Sequence, residues 1–350
     1  MLALSRYGRL GASSRMRIYQ YVPVLRTMGI EVTVSPLLRD DYLKRQYSGE
    51  PTKWVWVFSD YLNQISKLWN ARKYDVLWIE KELFPNIPAW FERILSILNI
   101  PYVVDYDDAI FHSHLGRPGI INRMMGGKID QVMRRSAMVI CGNAYLAERA
   151  VLAGARQVKI IPTVIDLGRY QVVDKSKESK IIVGWVGSPS TARYLELVIP
   201  VLRILALEFP LQLRIIGAQF VAEGLDIDCR QWTEASEVSE IQGFDIGIMP
   251  LIDSPWERGK CGYKLIQYMA CGKPVVASAV GANCTIVSDG MNGYLTHRTE
   301  DWSMALRALL TDASMAQRMG AIGRKKVVEE YCLQVTAPQL AESLRISAAN

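Results

Sequence analysis

The sequence predicts an α/β protein made of two domains, each built on a parallel sheet. Three observations lead there. Short apolar runs alternate with amphipathic stretches along almost the whole chain, the pattern of strands buried on both faces and covered by helices. Half of the 350 residues are apolar, enough at this length to fill two cores. The alternation breaks once, over residues 162–180, where the charged run DKSKESK reads as a solvated connection. The expected division is a first domain over 1–165, a linker over 166–180, a second domain over 181–335 and a closing helix over 336–350.

In order, residues 1–7 form a first apolar strand and 8–14 (GRLGASS) a small-residue loop, followed by the amphipathic run 16–28. A strand, a glycine turn and a helix follow the logic of phosphate binding, with Gly11 as a donor-contacting position, although GxxG is a weak signal. Residues 31–35 make the second strand. Residues 52–72 read as one long helix whose apolar side is Trp54, Trp56, Phe58, Tyr61, Ile65, Leu68 and Trp69. That stripe is expected to face the core; a membrane-facing patch on Lys53, Trp54 and Trp56 is the alternative. Strands over 75–79, 102–105, 138–141 and 158–161, with helices over 88–98 and 144–153, complete the first domain. In the second domain, strands are expected over 180–186, 212–216, 230–233, 244–250 and 275–278. Helices over 301–310, 314–331 and 337–347 close the chain.

Residues 257–293 are the stretch best suited to an anion. Gly259 and Gly262 permit close backbone approach, the first turn of the following helix leaves N–H groups unpaired, and Lys260 and Lys264, four apart, are expected on one helical face. A phosphate or diphosphate would satisfy all three.

Composition narrows the remaining choices. The longest apolar candidate for a membrane span is interrupted by Glu196, Arg203 and Glu208, and MLALSR is too short for a signal peptide. Six cysteines without a CxxC read as reduced thiols of a cytoplasmic protein. Residues 1–165 carry 22 Lys and Arg against 14 Asp and Glu, while the remainder carry 19 against 21. The basic half suits a phosphorylated, acidic or membrane-held acceptor, with peripheral contact at the inner face of a membrane as a further expectation. No basic and aromatic recognition module points to nucleic acid. Three histidines without ligand spacing do not support a catalytic zinc, and no metal is expected.

The run YMACGKPVVAS, with SDGMNGYL after it, resembles the donor-binding segment of glycosyltransferase family 4, retaining enzymes of the GT-B fold. Gly29-Ile30-Glu31-Val32-Thr33-Val34 and Pro162-Thr163-Val164-Ile165-Asp166 resemble further segments of that family. The resemblance implies two facing Rossmann-like domains with parallel sheets and an interdomain cleft, and a last helix that returns to the first domain. It implies a UDP- or GDP-linked sugar as donor, a glycan or lipid-linked acceptor, no cofactor and no metal, and a place in polysaccharide biosynthesis. Where the family has an Arg and a Lys on the diphosphate, this chain has Ser188 and Arg193, so Lys264 and Lys260 are candidates for the missing cation. Ser188, Ser190 and Thr191 add donors at a helix start.

The family's paired glutamates fall on Gly259 and Gln267; Gln267 is the candidate ribose partner, and Glu257 the nearest acid. Gly281, Ala282 and Asn283 form the loop over the donor. The family's His-Asp pair falls on Asp107 and Asp108, the candidate residues beside the sugar or acceptor hydroxyl, with His112 and His114 on the same loop. Asp105, Asp107 and Asp108 lie within four residues, so a cation or a proton must lie among them. Asp105-Tyr106-Asp107 also reads as a metal-binding DxD, the poorer reading. The expected activity is metal-independent glycosyl transfer with retention. A nucleotide-sugar epimerase and a catalytically silent nucleotide-sugar-binding protein are the alternatives.

Overall fold

The computed structural model describes residues 1–113, 125–173 and 180–349. Most of the DKSKESK run and His114 lie outside them. Two six-stranded sheets are present, every pairing in them parallel. The chain divides into unit 1, residues 1–163 with 336–350, and unit 2, residues 164–335.

In unit 1 the strand order is β2-β1-β3-β4-β5-β6, with β1 Leu2–Tyr7, β2 Thr33–Leu38, β3 Leu77–Glu80, β4 Tyr102–Tyr106, β5 Met138–Cys141 and β6 Val158–Ile160. The central strands are apolar on both faces because helices cover both, and Trp78, Ile79, Val103, Val104, Val139 and Ile140 are fully buried. The second strand runs later than the expected 31–35. It sits at the sheet edge and accommodates Pro36, whose missing N–H costs an edge strand little. The helix Leu333–Ala349 belongs to unit 1 from Thr336 onward; there Tyr21 and Thr336 share a buried hydroxyl hydrogen bond of 2.8 Å.

The 52–72 segment forms the helix Trp54–Trp69, but only part of the expected core-facing stripe turns inward: Trp56, Tyr61, Ile65 and Leu68 are half-buried. Asp60 and Gln64 are its buried residues, whereas Trp54, Phe58 and Trp69 are exposed. Hydrogen bonding decides this face: Asp60 takes a bidentate contact from Arg39, and Gln64 lies on Ser35.

In unit 2 the order is β12-β11-β10-β7-β8-β9. These are β7 Ile181–Val186, β8 Leu211–Ile216, β9 Ile227–Arg230, β10 Ile246–Met249, β11 Val275–Ser278 and β12 Gly293–Thr296. The chain leaves β7 in one direction to β8 and returns to its other side at β10, the topological switch beside which α/β proteins bind ligands. The expected strand 230–233 lies earlier, at 227–230. It is a half-buried edge strand whose Asp228 pairs with Arg214 and Arg230, so apolar content does not mark it. β12, which hydropathy does not mark, pairs fully with β11.

Residues 164–173 pack inside unit 2: Ile165 bridges Cys332, and Tyr170 is buried. The helices Tyr263–Ala270 and Ala313–Glu330 pack against each other through Gly320 and Gly323; a Cβ at Gly320 would run into the Gly272 carbonyl. We expect Gly320→Ala to destabilise unit 2 by about 1–3 kcal/mol, since the obstacle is backbone that cannot rotate aside. Urea unfolding measures it; an unchanged midpoint would contradict this packing.

Candidate functional site

Two clusters of polar side chains stand at the carboxyl ends of the strands, one in each unit. In unit 1, Asp105, the last residue but one of β4, is buried and takes a 2.8 Å contact from Arg17 Nε, with Trp78 Nε1 at 3.4 Å. Asp107 and Asp108 lie just beyond, 2.9 and 3.1 Å from Lys81 Nζ. The counter-charges that the three aspartates require are therefore Arg17 and Lys81. Because Asp105 and Asp107 are each held by a protein cation, the DxD spacing is not a free pair of metal ligands.

Lys81 was not found from the sequence. It follows β3 directly, in the left-handed region at φ 65°, a conformation a lysine adopts only when its surroundings fix it. Its N–H donates to Asp105 O at 2.9 Å and its ammonium reaches Ser13 Oγ at 3.3 Å. Ser14 Oγ donates to Glu80 Oε2 at 2.6 Å, so the small-residue loop is pinned to the end of β3. Within that loop Gly11 precedes the helical turn Ala12–Ser14, and a Cβ there would lie 2.6 Å from Tyr7 Cβ. Asking which basic residue follows a neighbouring strand would have pointed to Lys81. His112 is engaged with Tyr145 Oη at 2.8 Å.

Burial acts against the charge of Asp107, but Lys81 and a hydroxyl from Ser13 overcome it and hold its carboxyl below the ordinary 3.8. Lys81 is likewise opposed by burial, yet Asp107 and Asp108 raise its pKa above the ordinary 10.5.

In unit 2 the loop after β7 carries Ser188, Ser190, Thr191 and Arg193. Ser188 Oγ and Ser190 Oγ are 2.9 Å apart, and Thr191 Oγ1 donates to Ser188 O at 3.0 Å, so these hydroxyls organise the turn Pro189–Ala192 among themselves. Arg193 is exposed, its guanidinium 5.1 Å from the Tyr194 ring and 3.3 Å from its hydroxyl. That hydroxyl donates to Glu257 Oε1, whose other oxygen takes Ser254 Oγ. Burial raises the pKa of Glu257, but these hydroxyls and Lys260 leave it below its ordinary value. Arg193, Tyr194 and Glu257 thus tie the loop after β7 to the loop after β10, across neighbouring strands. Tyr194, adjacent to Arg193, is the second residue the sequence reading missed.

Lys264 lies in the first turn of the helix Tyr263–Ala270, with Nζ 5.1 Å from the Trp185 ring. Gly262 takes φ 65° and precedes this helix without a side-chain cap. Lys260 precedes that glycine, so the expectation of two lysines on one helical face is corrected: the left-handed Gly262 breaks the helix between them. Gly281, at φ 53°, sits where a Cβ would come 2.6 Å from Arg258 O, and Ala282 starts the turn Asn283–Ile286.

Two predicted donor residues face inward. Gln267 Nε2 donates to Tyr170 Oη at 2.8 Å, and Asn283 Nδ2 donates to Ser278 O at 3.0 Å. Both side chains are buried, so the expected ribose contact of Gln267 is replaced by a bond inside unit 2. A cavity of about 380 Å³ opens at the ends of β10, β11 and β12, lined by Leu251, Asp253, Ser278, His297 and Trp302 among others; none of the predicted site residues lines it.

Lys81→Met is expected to lower stability by about 3 kcal/mol at neutral pH, because it leaves two carboxylates without their cation. The signs define a window. The lowered pKa of Asp107 gives stability that is complete above about pH 4 and lost as pH falls through the lowered value; the raised pKa of Lys81 keeps its share until pH rises beyond 10.5. Urea unfolding across acid pH should show this limb in the native protein and its loss in the variant.

Residues 180–312 match the family model for glycosyl transferases group 1. The D-inositol 3-phosphate glycosyltransferase of Rhodococcus opacus (strain B4) is 35% identical over 102 residues, 29% of this chain and 23% of that relative. The chain therefore spans about a quarter of the length of the curated relatives it matches. Among solved structures, Anabaena Alr3699/HepE in complex with UDP-glucose aligns over 98% of both chains, with a TM-score of 0.70 and 16% identity. The sucrose-phosphate synthase of Thermosynechococcus elongatus aligns over 100% of this chain and 99% of that one, with a TM-score of 0.72 and 14% identity. The two parallel-sheet units are those of the GT-B fold, and the match to glycosyl transferases group 1 falls within unit 2.

Proposed function

We propose that this protein transfers a sugar from a nucleoside diphosphate sugar to an acceptor, with unit 2 holding the donor. The observation that carries the reading is the pair of cations, Arg193 and Lys264, at the carboxyl ends of the adjacent strands β7 and β10, inside the segment that matches glycosyl transferases group 1. A leaving diphosphate needs positive charge and N–H donors as its bond to the sugar breaks. Arg193, Lys264 and Lys260 supply the charge, and Lys264 stands at the positive end of the helix Tyr263–Ala270. UDP-glucose and UDP, named in the Anabaena HepE complexes, support a UDP-linked donor over a GDP-linked one.

The chemistry is metal-independent and retaining, and the cluster of Asp107, Asp108 and Lys81, in which both aspartates are half-buried, serves the acceptor hydroxyl within unit 1. The acceptor is a glycan or lipid-linked molecule bound by the basic unit 1, and the setting is polysaccharide biosynthesis in the cytoplasm. A silent nucleotide-sugar-binding protein is the second reading. It is favoured by Gly259 and Gln267, which stand where family 4 has paired glutamates, and by the commitment of Gln267 to Tyr170.

Titration calorimetry with UDP, GDP and their sugars tests the donor. Lys264→Ala and Arg193→Ala should each weaken nucleoside diphosphate binding about tenfold or more, the worth of one charge-assisted contact. Undiminished affinity in both variants contradicts the proposed diphosphate site. Turnover that survives chelation supports the metal-free mechanism, and the anomeric signal of the product reports retention. Tight nucleotide binding without transfer or hydrolysis across an acceptor panel supports the silent reading.

A further inference from the structure

The Trp54–Trp69 helix is apolar on more than its inner side: Trp56, Tyr61, Ile65 and Leu68 are half-buried, yet much of its exposed surface is apolar too. Its inner side carries Asp60, Gln64 and Lys67, bonded to Arg39 and Ser35, while Trp54, Val55, Phe58, Leu62 and Trp69 point outward. Trp69 is 87% exposed, Trp54 72% and Phe58 66%. These positions recur every three to four residues and form one stripe along the helix. A helix that met only water would place its polar residues there.

A second helix repeats the pattern. Trp90–Ile97 follows β3 as Trp54–Trp69 follows β2, and right-handed crossovers leading toward the same sheet edge place both on one face of the sheet. They meet over Phe84, whose ring lies 5.2 Å from Tyr61 and 4.6 Å from Phe91. Its outward residues include Trp90, Ile94 and Ile97, all exposed.

Charge identifies the occupant. Between residues 53 and 98 the acids Asp60, Glu80, Glu82 and Glu92 are buried and Asp75 is exposed, while Lys53, Arg72, Lys73 and Arg93 are at the surface. The face is therefore apolar, rich in tryptophan and fringed by cations. Tryptophan and phenylalanine settle at the boundary between headgroups and acyl chains, and basic side chains are drawn to anionic headgroups. No helix among the described residues is long and apolar enough to cross a membrane, so such contact is lateral. We propose that the outward stripes of Trp54–Trp69 and Trp90–Ile97 dock unit 1 on the surface of an anionic lipid bilayer. This stands independently of the donor reading, which concerns unit 2.

Flotation of the full chain with phosphatidylcholine vesicles, with and without phosphatidylglycerol, tests it. Binding is expected to the anionic vesicles, to weaken as salt is raised, and to be marginal on the neutral ones. The triple variant Trp54→Ser, Phe58→Ser, Trp69→Ser should lose about tenfold or more in vesicle partition, as should Lys53→Glu, Arg72→Glu, Lys73→Glu. Exposed positions should leave the circular dichroism and the melting temperature unchanged. Ile94→Ser, Ile97→Ser provides a separate arm on the second helix should the first variant fold poorly. Absence of native binding to anionic vesicles, or equal binding by all variants, overturns the proposal. So does a native dimer, seen by light scattering, that the serine variants dissociate, for then the face is a contact between copies of this chain.

Discussion

A parallel strand covered on both faces has only its ends free for chemistry. That constraint organises both units. Trp78, Val103, Val139, Val183 and Val276 occupy strand interiors and are fully buried, so polar groups of the sheets are left to act where a strand gives way to a loop. Lys81, Asp107, Arg193 and Lys264 all follow strand carboxyl ends. The glycines at those ends serve the same constraint. Gly187 and Gly217 come so close that a Cβ on Gly217 would lie 2.5 Å from Gly187 O, which brings the loops after β7 and β8 into contact.

Charge taken out of water must be balanced nearby, and unit 1 does so in a graded way. Arg17 and Asp105 are both almost wholly buried and pair with each other; Arg17 also donates to Ile161 O at 2.9 Å. Lys128 is buried against Glu82 at 2.6 Å and gives a second bond to Phe84 O. Lys81 is the least enclosed of the three, because Asp108 remains partly open to solvent. Removing one partner from such sets costs far more than the pair contributes to stability, so they act as constraints on geometry. In unit 2 the corresponding work is done by hydroxyls, with Tyr194 and Ser254 both donating to Glu257.

The sheets were legible because central parallel strands are continuous apolar runs: 102–105, 138–141 and 275–278 were expected, and lie within or on the observed strands. The edge strands β9 and β2 were displaced, since they mix charge, proline and apolar residues and owe their place to pairing, whereas the edge strand β6 was expected where it lies. The outward part of the Trp54–Trp69 stripe was misread because aromatic content suggests burial, whereas Asp60 and Gln64 find partners only on the inner side. At the site, glycines and lysines of 257–293 were found through backbone and charge arguments. Lys81 and Tyr194 were not, because their significance comes from residues distant in sequence: Lys81 lies 26 and 27 positions before the aspartates it joins, and Tyr194 63 before Glu257. Gln267 was assigned outward, and only its bond to Tyr170 shows which way it turns.

The helix Leu333–Ala349 leaves unit 2 and completes unit 1, with Tyr21 bonded to Thr336 and Arg345 donating to Met28 O at 2.6 Å. Unit 1 is therefore discontinuous in sequence. During synthesis its sheet can assemble early, yet the apolar surface awaiting Ala337, Leu340, Ala341 and Leu344 stays open until all of unit 2 has been translated. Contacts that close so long a loop are slow to form. A nascent chain thus carries an unfinished unit 1 throughout the translation of unit 2, the interval in which chaperones have most to bind.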